Sequence, residues 1–122
     1  MSKFRKGVGL VVLVALVALA AAVSAFGKSA ATTTVAVTAG KPSELKFTLS
    51  KKTILKGTGV FKVTNRGSLP HNFKIAGKKT VNLGPGKTAT LKVAFAKAGK
   101  YAYLCTVPGH AAGGMKGVLV VK

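Results

Sequence analysis

Residues 101–121 read YAYLCTVPGHAAGGMKGVLVV. At the start of this stretch Tyr101, Tyr103 and Cys105 alternate with Ala102 and Leu104, so they share one face of an extended segment. At its end Val118 to Val121 is a short, continuous apolar run of the kind that forms a buried strand. Between them lies Thr106-Val107-Pro108-Gly109-His110-Ala111-Ala112-Gly113-Gly114, dense in turn formers and small residues. Two strands joined by a loop therefore carry a thiol (Cys105), an imidazole (His110) and a thioether (Met115) within eleven residues. With His71 far upstream, and apart from Met1, these are the only cysteine, histidines and methionine in the chain.

The same two-residue period runs outward from this stretch. Ala89, Leu91, Val93 and Phe95 alternate with Thr88, Thr90, Lys92 and Ala94, and Leu45, Phe47 and Leu49 alternate with Glu44, Lys46, Thr48 and Ser50. Thr33 to Val37, Val60 to Thr64 and His71 to Ala76 read as further strands, the last with His71, Phe73 and Ile75 on one face. Pro70 biases Leu69 towards extended geometry ahead of His71. Ile54 reads as a core anchor, and Val81 and Leu83 as a short segment closed by Gly84-Pro85-Gly86. Ser50 to Thr53, Lys56 to Gly59 and Asn65 to Ser68 read as turns. No segment after residue 27 shows a helical period. About seven to eight short strands with frequent turn signals predict an all-β, antiparallel Greek-key sandwich or barrel.

At 122 residues the chain has room for one domain, and 48% hydrophobic content supports one packed core. Part of that content lies in the leader. Met1 to Lys6 is basic and precedes an uncharged run from Gly7 to Gly27, the layout of a secretory signal. The expected division is a signal peptide over 1–25, a linker over 26–32 and the β domain over 33–122. Val23-Ser24-Ala25 offers a cut before Phe26, and Ser29-Ala30-Ala31 a second one. The alternative is an uncleaved membrane anchor, since a run of about 20 apolar residues can span a bilayer. Either layout predicts a periplasmic or extracellular domain. A single cysteine allows no internal disulfide, and a lone thiol in an oxidising compartment is a liability unless something occupies it.

The formal net charge is +19, from 20 basic residues against one acid, Glu44. Without Lys3, Arg5 and Lys6 of the leader, about +16 remains. Such a surface favours acidic protein faces and anionic membrane surfaces. The cations stand singly, as at Lys46, Lys62, Lys74 and Lys92, with no helix-turn-helix, zinc-finger or RNA-recognition signature, so nucleic acid is not an expected partner.

Two imidazoles, a thiolate and a weak axial thioether make the donor set of an electron-transfer copper centre. Structural zinc favours four Cys or His donors and does not ordinarily take a thioether. Haem attachment needs a second cysteine. A bridged two-copper centre needs one as well, and a three-histidine catalytic site needs another histidine. Taken singly, Met115 reads as core filler, Cys105 as a small buried hydrophobe and His71 as a hydrogen-bonded strand end. Their concentration beside one loop favours ligation.

On these residues the sequence resembles the cupredoxins, type 1 blue copper proteins such as plastocyanin, azurin and auracyanin. The resemblance spans residues 33 to 122 and is carried by Asn65 to Phe73, Leu83 to Thr88, and Tyr101 through Gly117. The Cys105-x4-His110 spacing is azurin-like or auracyanin-like, whereas His110-x4-Met115 and Pro70-His71-Asn72 are plastocyanin-like. The resemblance implies one copper ion with His71, Cys105 and His110 as equatorial ligands and Met115 as the axial one. It also implies that the Asn72 backbone N–H bonds the Cys105 sulfur, that the Asn72 side chain ties the ligand loops together, and that Val107 supplies a second N–H. Pro108 has none to give.

The expected function is electron transfer without catalytic residues, by a monomer that meets an acidic redox partner at the His110 edge. Leu104 stands where plastocyanin has tyrosine, and Glu44 is the only acid, so the resemblance does not carry plastocyanin's acidic-patch docking over to this chain. Leu69, Pro108, Gly109, Ala111, Ala112 and Gly113 are the expected contact residues; the plainer account of the small ones is that they let the loop turn. Two other functions fit the composition: a copper chaperone or buffer, and a basic structural domain that binds acidic surfaces.

Overall fold

The computed structural model describes residues 31–122, which form nine strands in two sheets. One sheet has the order β2 (Phe47–Leu49), β1 (Ala31–Ala39), β4 (Gly57–Asn65), β7 (Thr88–Phe95). The other has the order β3 (Thr53–Ile54), β9 (Lys116–Val121), β8 (Gly99–Leu104), β5 (Lys74–Ile75), β6 (Lys78–Lys79). The leader and its cleavage or anchoring lie outside the described residues. Within them no helix is long and apolar enough to cross a membrane.

The all-β sandwich is as the periodicity predicts, but the sheets are mixed rather than wholly antiparallel. β1 runs parallel to β4 from Ala31↔Gly57 to Ala39↔Asn65, and β3 runs parallel to β9. Parallel neighbours need a long connection, and here the chain leaves β1, passes through β2 and β3, and returns as β4. Alternation reports which face a residue occupies and is silent on which strand lies alongside. Ala31 and Thr32, assigned to the linker by sequence, already pair with Gly57 and Thr58.

Two local expectations change for the same reason, close packing. Gly57 to Gly59 opens β4 instead of making a turn, because Gly59 lies under the rings of Phe95 and Phe61 where a Cβ would collide. The strand expected from His71 to Ala76 shrinks to Lys74–Ile75. His71 joins only a single bridge to Leu83, with His71 N–H donating to the Leu83 carbonyl at 3.1 Å and Leu83 N–H returning the bond at 2.7 Å. Asn72 and Phe73 are then both buried, which an alternating strand does not allow on one face.

Val35, Val37, Phe61, Val63, Val93 and Phe95 from the first sheet meet Ile54, Ile75, Tyr103, Leu119 and Val121 from the second. Phe73 is the hub, with ring centroids 5.3 Å from Phe47, 5.3 Å from Phe61 and 5.4 Å from Tyr103. Burying one such side chain contributes about 1.5–3 kcal/mol. Because Phe73 lies two residues after His71, the densest part of the core also anchors the segment carrying that imidazole.

Candidate metal centre

Three elements deliver the site to one end of the sandwich. β4 ends at Asn65, whose buried side chain organises the loop to His71: Nδ2 donates to the carbonyls of Leu69 and Leu83, both at 2.8 Å, and Oδ1 accepts from Gly67 N–H at 2.8 Å. β8 ends at Leu104, directly before Cys105. β9 begins at Lys116, directly after Met115.

The loop between these strands is closed by its own backbone. Cys105 N–H donates to the Met115 carbonyl at 3.1 Å, Met115 N–H to the His110 carbonyl at 3.0 Å, and His110 N–H to the Val107 carbonyl at 3.0 Å. Three of the four sequence-predicted ligands are thus linked in series by backbone bonds before any side chain is considered. Gly113 lies against Leu45, where a Cβ would sit 2.5 Å from Cδ1, and Gly109 and Gly114 have φ of +83° and +111°. For these glycines the loop's own geometry accounts for their size. Pro108, Gly109 and Ala112 are exposed, so part of the loop also faces solvent.

His71, Cys105 and His110 converge, each offering one donor atom, and these atoms all lie within 4.8 Å of one another. His71 Nδ1 is 3.2 Å from His110 Nδ1, and Cys105 Sγ is 3.6 Å from His110 Nδ1. His71 and Cys105 are fully buried, whereas His110 is partly exposed. Met115 is fully buried in a small apolar cluster with Cys105 and Ala39, against which Leu45, Phe47 and Val107 pack. Burial holds the His110 imidazole below its ordinary pKa; the adjacent His71 ring adds to the effect and Glu44 opposes it. A neutral imidazole keeps the lone pair that a metal ion requires. Two imidazoles and a thiolate at this spacing, with a thioether packed beside the thiolate, fit a copper ion in donor chemistry.

Asn72 performs the linking role expected of it. Its backbone N–H points at Cys105 Sγ at 3.5 Å, its Nδ2 donates to Thr106 Oγ1 at 2.7 Å, and its Oδ1 accepts from Thr106 N–H at 2.8 Å. Nδ2 also donates to Asn82 Oδ1 at 2.7 Å. The backbone donor seen at the sulfur is Asn72; Val107 meets the site through its side chain and its carbonyl.

Sequence reasoning missed Glu44 and Asn65. Glu44 Oε2 lies 2.5 Å from His71 Nε2 and 3.3 Å from Leu69 N–H, and Oε1 accepts from Ser68 N–H at 2.8 Å and Ser68 Oγ at 2.7 Å. The bond from Ser68 N–H, followed by that to His71, lowers the Glu44 pKa from 4.5 to about 2. The available signal was scarcity, since Glu44 is the only acid in the chain. Asn65 reads as the start of a turn and of the family-like stretch 65–73, and its type, which suits an exposed turn equally well, does not show that its side chain is buried.

A family model described as a cupredoxin-like domain matches residues 9–121. No curated protein matches the sequence. Among solved structures, auracyanin A, described as a "blue" copper protein from Chloroflexus aurantiacus, is 22% identical over 75% of this chain and 100% of its own, with a TM-score of 0.64. Reduced auracyanin from Roseiflexus castenholzii is 27% identical over 79% of this chain and 99% of its own, with a TM-score of 0.54. Rusticyanin from Thiobacillus ferrooxidans is 25% identical over 77% of this chain and 79% of its own, with a TM-score of 0.62. The cluster of His71, Cys105 and His110 resembles the ligand set of a type 1 copper site on the corresponding fold.

Proposed function

This chain belongs to the cupredoxin-like domain family, and on that premise we propose that it is a mononuclear type 1 copper electron carrier working outside the cytoplasm. His71, Cys105, His110 and Met115 are the residues that would hold the ion. The observation that carries this reading is the convergence of two imidazole nitrogens and a buried thiol from two separate loops. Copper bound there supplies a one-electron Cu(II)/Cu(I) couple.

The protein's part is to hold its donors still. Backbone bonds within 105–115, the Asn72 clamp on Thr106 and the Asn65 brace fix the loops before metal arrives. A scaffold already in place limits rearrangement when the charge of the site changes. His110 is the one partly exposed donor, and Pro108, Gly109 and Ala112 beside it are small enough to let a partner's surface come close. Leu69, 44% exposed, adds an apolar contact at the same end.

The partner is a redox protein with an acidic docking face. Every charged side chain in the described residues other than Glu44 is a cation, and the Glu44 carboxylate is held by Ser68, Leu69 and His71. The basic surface also suits peripheral contact with anionic membrane lipids, and the domain acts as a monomer.

Voltammetry of the copper-loaded protein, paired with a copper-transfer assay to a chelating acceptor, tests this reading. A reversible one-electron wave with metal retained supports the carrier. Ready transfer of copper without a reversible wave would instead identify a chaperone or buffer. Binding to acidic surfaces that is indifferent to metal and to His110→Ala would identify a structural domain.

A further inference from the structure

We infer that Glu44 is a positioning residue for His71: it selects the Nε2–H tautomer, aims Nδ1 into the donor cluster, and lowers the reduction potential of the site. The inference rests on the copper reading for its redox part and on hydrogen-bond geometry alone for its tautomer part.

The carboxylate faces donors only. Ser68 N–H, Ser68 Oγ–H and Leu69 N–H all point at it, so His71 Nε2, at 2.5 Å, is left to donate as well. A neutral imidazole that carries its proton on Nε2 keeps its lone pair on Nδ1, the atom 3.2 Å from His110 Nδ1. A carboxylate behind a ligating histidine fixes the ring and raises its basicity. The surrounding loop is shaped for this contact. At Gly67 a Cβ would run into Glu44 Oε2 and come within 3.1 Å of His71 Nε2, so any other residue there would wedge the pair apart.

Charge points the same way. Against a background of about +16, which disfavours the more positive oxidation state, the chain places its one acid against a ligand ring that is fully buried. A negative charge at that position favours Cu(II) over Cu(I). Water screens it in part, since the Glu44 side chain is 29% exposed, while the His71 side chain it bonds is completely enclosed.

The test compares full-length wild type with Glu44→Gln, whose amide can still accept from Ser68 but offers no full negative charge to His71. Imidazole nitrogen NMR of the metal-free protein is expected to show His71 as the Nε2–H tautomer in wild type, with that preference lost in the variant. After copper loading, the variant is expected to show a higher reduction potential and Cu(II) affinity weakened about 10–100-fold, with Cu(I) affinity changed less. A merely structural Glu44 would lower thermal stability and leave the potential where it was. An Nδ1–H tautomer in wild type, or an unchanged potential in a folded variant, would overturn the inference. Wild type that takes up no copper would remove the copper reading and the redox part together, with the tautomer measurement still decisive for positioning. Should Glu44→Gln fail to fold, the wild-type tautomer and the potential of Gly67→Ala carry the same test.

Discussion

Asn72 and Thr106 hold each other by two bonds, Nδ2 to Oγ1 at 2.7 Å and Oδ1 from the backbone N–H at 2.8 Å. Each directly follows a proposed donor in the chain, Asn72 after His71 and Thr106 after Cys105. The clamp therefore sets the spacing between the two loops that supply the donors. Asn72→Ala keeps the backbone N–H that faces the Cys105 sulfur and deletes the clamp. Leaving the half-buried Thr106 N–H and Oγ1 unpaired costs about 1–3 kcal/mol, whereas the exposed Asn82 regains water. Chemical denaturation of the metal-free variant checks the cost, and a broadened visible spectrum after copper loading checks the loosened spacing.

Phe73 couples the core to the site. Phe73→Ala removes a ring packed against Phe47, Phe61 and Tyr103, and such a deletion costs about 3–5 kcal/mol. The same variant is expected to weaken copper retention, because the Phe73 backbone follows His71 by two residues. Denaturant midpoints with and without copper separate the effects. Equal losses in both states would show that the core and the site are not coupled.

Glu44 gives the metal-free protein a defined acid sensitivity. Its pKa falls from 4.5 to about 2 on folding, so the folded state binds fewer protons than the unfolded chain in that window. The stability it contributes is present above pH 4.5 and is lost as pH falls towards about 2. Thermal midpoints of wild type should therefore drop more steeply across this range than those of Glu44→Gln. Parallel curves would show that the carboxylate contributes nothing to the fold.

Much of the architecture was legible because alternation maps directly onto burial. Val93 and Phe95 point into the core of β7 as their spacing requires, and Tyr103 and Cys105 are buried along one face at the end of β8. The cluster was legible through scarcity, since a chain with one cysteine and two histidines brings all three together. What stayed hidden depends on contacts between distant segments. The parallel pairing of β1 with β4, the service of Gly59 beneath Phe95, and the grip of Glu44 on His71 each join residues far apart in the chain. A local pattern has no term for such contacts.

Electron exchange with an acidic partner is expected to slow as salt rises, because screening shortens the reach of the basic surface to about 8–10 Å at physiological ionic strength. Stopped-flow rates across a salt series measure this directly. A rate independent of ionic strength would show that the apolar end around Leu69 and Pro108, rather than charge, sets docking.

The central claim is that Cys105 ligates copper beside His71 and His110, and visible absorption during Cu(II) titration of the full-length protein tests it most directly. The account predicts an intense thiolate-to-copper band that saturates at one equivalent of metal in wild type and is absent from Cys105→Ser. A wild-type protein that shows no such band with its thiol reduced, or a band that survives Cys105→Ser, would contradict it.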